Sequence, residues 1–457
     1  MNESTTSTTK AFTGSASLAA IGLKLRELKV FEPIEQGVQI AQKTVKDRPS
    51  DKLYDALISI LAGAHGLVEI NTRLRADVAL QRAFGRSRCA EQSVVQDTLN
   101  ACTAANVKQM EQAMDRVYQQ HSQGYHHDYQ ASFQVLDVDM SGLPCGPKAA
   151  FATKGYFAKQ RNRRGRQLGR VLASHYGEIV VDRLFDGKTQ LTRALQPLML
   201  AAEQTLQLDE EKRCRTIVRL DAGGGSLADV NWLLARGYLV HGKDYSGKQA
   251  THLAKSVVDW YVDPHQPERE FGWVTEAADT YVRPVKRIAV RCRKPDGEFA
   301  YGVLLSALSA QHVLGLTSQP LCLLDVPAAV LLAYVTFYDQ RGGGVETSFK
   351  GDKQGLGMSK RGKKRFEAQQ MLMLLGSLAH NIIVWARVWL ASPALRQYGM
   401  LRMVRDVFHI SGFLLTDALG QVVQIVLNQA APLATVLVDP LGALLACTHV
   451  AVNLGQT

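Results

Sequence analysis

The chain has 457 residues, of which 46% are hydrophobic, 21% charged and 7% aromatic, a balance that excludes a disordered or fibrous protein. Lys and Arg number 53 against 42 Asp and Glu, a net charge of +11. A surface that basic attracts polyanions, nucleic acid foremost, although charge alone also allows an unrelated basic enzyme.

Seven scattered cysteines, never spaced as CxxC, argue against a disulfide scaffold and a structural zinc site, and suit a reducing cytosol. Residues 1–16 are Ser- and Thr-rich without an apolar run, so a disordered tail is expected and a secretory signal is not. Residues 17–130 read as helical. Leu53, Leu57, Ile60 and Leu61 fall on one helix face, and Val107, Met110, Met114 and Val117 on another. Between them Ser93 and Gln96 have capping-box spacing, so Ser93 is expected to start a short helix through Leu99. With Arg88, Gln92, Gln96 and Asn100 as its polar positions, that helix suits a helix-turn-helix reader of DNA or a plain helical scaffold.

At Phe133 the period changes. Phe133–Asp139 reads as a buried strand, and Gln167–Ser174 and Glu178–Leu184 as two more, joined as a hairpin at His175–Gly177. A helix over Thr189–Leu206, a strand over Thr216–Asp221, a helix capped by Ser226 and a strand from Tyr238 complete an α/β pattern over 131–244. Residues 245–323 look like a β-rich insertion, with Ile288–Cys292 and Tyr301–Leu305 joined by a Pro295-Asp296-Gly297 turn. Residues 324–390 turn helical again as a second part of the core. In the last region, 391–457, the basic amphipathic stretch Leu395–Val407 with Arg396, Arg402 and Arg405 suits a subunit contact. The apolar tract Val422–Ala446 is broken by Asn428, Gln429, Pro432, Asp439 and Pro440, so no membrane span is expected there.

Two carboxylates stand where an α/β sheet usually binds ligands: Asp139 ends the first strand and Asp221 the fourth. Asp137 lies two residues before Asp139 on the same face, and the pattern leaves open which of the two serves. Two basic runs accompany them. The first holds Lys148, Lys154, Lys159, Arg161, Arg163, Arg164, Arg166 and Arg170, with Tyr156 and Phe157 interleaved; the second is Lys360-Arg361-Gly362-Lys363-Lys364-Arg365. Each is a solvated face or a track for phosphates. Gly223-Gly224-Gly225 lacks the Gly-Lys-Ser/Thr of a phosphate loop, so no nucleotide cofactor is implied. His121, His126 and His127 beside Asp128 read as a polar linker before a metal site.

The stretch from Tyr338 through Arg341, Glu346 and Lys350 to Lys353 resembles the Tyr–Arg–Glu–Lys signature of the DDE transposases of bacterial insertion sequences. The helical stretch Gln369–Trp385, with Leu378-Ala379-His380-Asn381, is similar to the segment downstream of that signature. The resemblance implies an α/β ribonuclease H-like core, a mixed five-stranded sheet with helices, carrying a β-rich insertion, plus an all-α N-terminal DNA-binding domain. It makes Asp139, Asp221 and Glu346 the catalytic, metal-binding triad, with two Mg²⁺ or Mn²⁺ ions per site. Tyr338, Arg341, Lys350 and Lys353 become DNA contacts, joined by Arg161, Arg163, Arg164, Arg166, Lys360 and Arg361 from the basic runs. The implied activity is cleavage at transposon ends followed by 3′-hydroxyl strand transfer. The implied partners are double-stranded DNA, as terminal inverted repeats and target, and a second copy of the chain as a homodimer, in the bacterial cytoplasm at the nucleoid. Trp260 and Trp273, in the insertion, would hold a flipped base or simply pack. One departure stands out: four residues separate Arg341 from Glu346, where the best-known members have three, while the six between Glu346 and Lys353 fit. The alternatives are a ribonuclease H-like nuclease without joining activity and a catalytically silent, transposase-derived DNA-binding protein.

Overall fold

The computed structural model describes residues 8–43, 46–155, 157, 162–244 and 247–456. The chain divides into two compact units: Met1–Ser122 with Leu143–Gly165 and Phe349–Thr457, and Gln123–Gly142 with Arg166–Ser348.

The second unit is a mixed α/β structure. Strands β1 (Gln134–Pro144), β2 (Arg164–Ala173) and β3 (Glu178–Asp186) form the expected meander. The β2–β3 turn closes through Gly177, whose φ of +70° suits a residue without a side chain. Helix α1 (Leu191–Leu206) buries Leu191, Ala194, Leu195, Leu198, Met199 and Ala202 along one stripe and packs on β3. Strand β4 (Thr216–Leu220) is buried at every position, as a parallel strand covered on both faces must be. Ser226 caps α2 (Leu227–Ala235) through the Asp229 N–H, and β5 (Leu239–Lys243) comes next. The order β3-β2-β1-β4-β5 results, with β4 and β5 parallel to β1 and to each other.

The insertion does not form a separate layer. Its strands β6 (Tyr261–Asp263), β7 (Gln266–Trp273), β8 (Lys286–Arg293) and β9 (Phe299–Ser306) extend the same sheet. β9 adds antiparallel to β5, with Leu304 opposite Lys243 and Ser306 opposite His241. Trp260 lies against the Arg291 guanidinium and Trp273 against Tyr334, so both are packed side chains. Helices α3 (Ala310–Leu316) and α4 (Pro327–Arg341) then close over Ile217, Leu239, Ile288 and Leu304.

The first unit has its own core around the helix Phe366–Trp389, buried from Ala368 to Ala386. That helix is long and apolar enough to cross a membrane, but 89% of its apolar window is buried inside the protein. The helices Pro49–Leu61, Gln92–Ala101 and Ala104–His121 pack against it.

Several expectations change here. Thr9–Thr13, placed in a disordered tail, form a strand antiparallel to Gly412–Thr416, and the tail's first seven residues lie outside the described ones. The N-terminal helices are not an all-α domain of their own, because they share one core with the C-terminal region. The short helix starts at Gln92 with Ser93 inside its first turn, and the capping box belongs to Thr103 and Asn106 of the next helix. Gln96 accepts from Lys363 Nζ at 2.6 Å and the Asn100 carbonyl accepts from Arg365, so two positions expected to face DNA are engaged within the unit. The apolar side of Leu395–Val407 is also covered: Leu395, Met403, Val404 and Val407 are buried in this core, and Arg402 and Arg405 pair with Asp406. The expected subunit face is thus occupied by the chain itself.

His241 on β5 carries a testable consequence. It is fully buried, its Nδ1 lies 3.0 Å from Ser306 Oγ, and Tyr334, Phe337 and Tyr338 surround it. Burial, with Arg219 adding to it, pushes its pKa down to about 3. The stability that neutral His241 contributes is therefore complete above its unfolded pKa of about 6.5 and is lost as pH falls toward 3. His241→Phe should flatten the fall of the urea midpoint on acidification. An identical pH profile for variant and wild type would remove His241 from this role.

Candidate active site

The register of β1 and β4 sets the site. These parallel strands pair Asp137 with Arg219 and Val138 with Leu220, and Asp139 and Asp221 follow that last pair: Asp221 just beyond β4, Asp139 within β1, which runs on to Pro144 past its expected end. The two aspartates of β1 share a face but meet different neighbours. Asp137 is fully buried and takes a bidentate ion pair from Arg219, at 2.6 Å from Nε and 2.9 Å from Nη2. Asp139 is half-buried, accepts from its neighbour's N–H at 2.7 Å and faces Asp221. Asp137 is thus engaged in the sheet by Arg219, and Asp139 is the aspartate of the pair that keeps solvent access. Asp221 starts a turn in which the Gly223 N–H donates to its Oδ1 at 2.8 Å.

Glu346 arrives from the other side of the chain. Between α4 and α5 (Thr347–Gly355), residues Gly342–Glu346 form a kinked turn in which Gly344 has non-helical angles, φ −88° and ψ −109°. The kink at Gly344 interrupts the helix between Arg341 and Glu346, and the two side chains meet across it despite four residues between them. Arg341 Nη1 accordingly donates to Glu346 Oε1 at 2.9 Å. The departure from the signature spacing is thus taken up in the backbone. Gly344 is needed in this turn, since a Cβ there would meet Asp137 Oδ2 at 2.2 Å.

Two buried arginines brace the turn. Arg219 Nη1 donates to the Phe337 carbonyl at 2.8 Å, before it. Arg170, held by Asp182 at 2.8 and 2.7 Å, donates to Ser348 Oγ at 2.5 Å, after it. Arg219, Gly344, Arg170 and Ser348 were not singled out from sequence as site residues. The repeated spacing Asp137-x-Asp139 and Arg219-x-Asp221 on neighbouring strands was the available signal for Arg219.

Electrostatics mark the place. Burial pushes the Asp139 carboxyl up to about 6; the Arg341 guanidinium opposes this, while Asp221 and Glu346 add to it. Burial also raises the Tyr338 hydroxyl to about 12, with Arg341 opposing and Asp221 and Glu346 reinforcing. Arg341 itself is almost fully buried, its Nη2 3.0 Å from Asp139 Oδ2. Three hard-oxygen donors under mutual repulsion fit a divalent cation such as Mg²⁺ or Mn²⁺ in charge and ligand type. They are not gathered into a cage, because among the described residues no three His, Cys, Asp or Glu side chains form a metal-holding group. The guanidinium between Asp139 and Glu346 supplies the cation that the acids require.

The other expected residues divide. Lys350 and Lys353 lie on α5, Lys350 exposed and Lys353 half-buried, the latter two turns beyond Glu346. Arg163, Arg164 and Lys360 are exposed, as are Lys148, Lys154 and Lys364. Arg166 has no exposed surface, and Arg361 is buried with its guanidinium donating to the Leu356 carbonyl, so neither is placed to touch a phosphate. Burial moves the Arg361 guanidinium down to about 10. Arg161, with Lys159 and Tyr156, lies outside the described residues. His127 is bound to the Tyr176 hydroxyl and the Ser132 carbonyl.

No protein-family model matches the chain, and no curated protein matches it. Among solved structures it is similar to a piggyBac transposase synaptic complex with hairpin DNA, with a TM-score of 0.45 and 12% identity. That likeness covers 88% of this chain and 82% of the other. It is distant, and the functional reading rests on this chain's own residues.

The two aspartates of β1 should separate in stability. Asp137→Asn leaves Arg219 buried without its partner charge and should cost about 3–5 kcal/mol in urea unfolding. Asp139→Asn, at a position with solvent access, should cost under about 1 kcal/mol. Equal losses would sink the distinction.

Proposed function

We propose that the chain is a DDE transposase with a ribonuclease H-like core, of the kind found in bacterial insertion sequences. One observation carries the reading: Asp139 and Asp221 follow the last pair of the parallel β1–β4 ladder, and the arginine of a Tyr–Arg–Glu–Lys signature joins Asp139 to Glu346. The strand order 3-2-1-4-5, with the last two strands parallel to the first, supports that core.

Asp139, Asp221 and Glu346 would hold two Mg²⁺ or Mn²⁺ ions, which when bound supply Lewis acidity for a water nucleophile and for the leaving oxygen. The chain's own residues do the rest. Arg341 holds a phosphate flanking the scissile bond by its planar fork, and Lys353 is a DNA contact as a point charge. Tyr338, a neutral hydroxyl beside the acids, donates to a phosphate oxygen. Water attacks phosphorus, the P–O3′ bond breaks, and a free 3′-hydroxyl and a 5′-phosphate result. That hydroxyl then attacks a phosphodiester of the target and displaces its 3′-oxygen. Two ends cut in concert call for a homodimer, acting at the nucleoid.

Asp139→Ala, Asp221→Ala and Glu346→Ala should each abolish Mg²⁺-dependent cleavage of the DNA flanking the gene while leaving its binding intact. Cleavage by any one of them removes that residue from the triad. Wild-type protein that nicks these ends but never joins them to a supercoiled plasmid would make it a nuclease.

The exposed basic residues give a second test. Replacing Arg163, Arg164, Lys360 and Lys364 together should make the salt dependence of DNA binding shallower, by about 0.9 in log–log slope per lost phosphate contact. An unchanged slope would mean that these residues are only solvated.

A further inference from the structure

Arg341 is charged with two duties that it cannot perform at once, and the unused part of its hydrogen-bonding capacity shows how they are reconciled. A guanidinium carries five N–H donors in a planar fork. Here Nη1 makes a sound hydrogen bond to Glu346 Oε1 at 2.9 Å. Nη2 lies 3.0 Å from Asp139 Oδ2 but lacks hydrogen-bond geometry, and both Nε and Nη2 are buried with no hydrogen-bond partner. The side chain is only 4% exposed. Buried donors left without an acceptor are costly, and an edge presenting Nε and Nη2 together is the edge that takes an oxyanion bidentately. The guanidinium thus sits on two carboxylates by charge while offering an unfilled fork suited to a phosphodiester.

The same group lies against both Asp139 and Glu346, two of the carboxylates that would hold a cation. A Cβ on Gly342 or Gly343 would meet nothing, so neither glycine is there for lack of room.

We propose that Arg341 is a latch that couples metal binding to DNA binding. Without DNA, its guanidinium holds Asp139 and Glu346 in place of a divalent ion. A DNA phosphodiester engages the Nε–Nη2 edge and draws the guanidinium off the acids, which then accept the ion. An enzyme so built does not assemble its hydrolytic centre away from DNA. The inference rests on the triad reading above and adds to it the order in which the parts come together.

The test is Mn²⁺ binding to the full chain, monitored by electron paramagnetic resonance of the free ion, with and without a short random-sequence duplex. Asp139→Asn protein with the same duplex corrects for Mn²⁺ held by the DNA. Wild-type protein alone should bind Mn²⁺ weakly, and the duplex should tighten binding by about ten-fold or more, within the usual range for coupled sites. By linkage, Mn²⁺ should tighten duplex binding by the same factor. Arg341→Gln should bind Mn²⁺ tightly without DNA, and the duplex should add nothing. If Arg341→Gln does not fold, judged by its thermal melt, the wild-type comparison with and without duplex decides alone. Equal Mn²⁺ affinity of wild type with and without duplex overturns the latch and leaves the triad intact. Mn²⁺ binding that Asp139→Asn and Glu346→Gln both retain overturns the triad itself, and the latch with it.

Discussion

The pairing of β1 with β4 is the constraint on which the site depends. A parallel ladder fixes which residue stands beside which, and a slip of one position would exchange the faces. In the observed register a cation, Arg219, stands beside Asp137, and an anion, Asp221, stands beside Asp139. One aspartate is thereby consumed as a structural ion pair and the other is left in a repulsive couple. Chemically identical side chains two residues apart receive different roles from their neighbours alone.

The same buried ion pair reaches beyond the sheet. Arg219 ties β1 and β4 to the carbonyl of Phe337 in α4, and Gly344 approaches Asp137 so closely that no side chain fits between. With Arg170 and Asp182 gripping Ser348 on the far side, the turn that presents Glu346 is held at both ends by arginines rooted in strands. Buried ion pairs are poor sources of net stability, but breaking one is severe. That asymmetry suits a joint that must keep one geometry, because a carboxylate displaced by about 1 Å loses much of its catalytic value.

Much of this was legible in sequence. The end of the fourth strand at Asp221, the meander, the Ser226 cap and the hairpin of the insertion come from local periodicity and turn residues, which act over a few positions, whereas the first strand runs past Asp139 to Pro144. What escaped is non-local. Nothing near Phe299–Ser306 indicates that it adds to the edge of β5, and nothing near Thr9–Thr13 points to a partner about four hundred residues away. Runs of Arg and Lys read as surface by composition, yet Arg166, Arg170 and Arg361 are buried, because strand and helix positions override charge when a partner is at hand. The extra residue between Arg341 and Glu346 reads, in sequence, as a departure from the signature. In the structure a kink at Gly344 interrupts the helix there, and Arg341 and Glu346 meet across it despite the added residue.

The central claim is that Asp139, Asp221 and Glu346 form one cation site. Anomalous scattering from Mn²⁺ in crystals of the DNA-bound protein tests it most directly. Peaks ligated by the carboxylates of all three residues, with the Arg341 guanidinium moved off Asp139 and Glu346, are the predicted result. Peaks elsewhere in the chain, with these three carboxylates unligated, would contradict it.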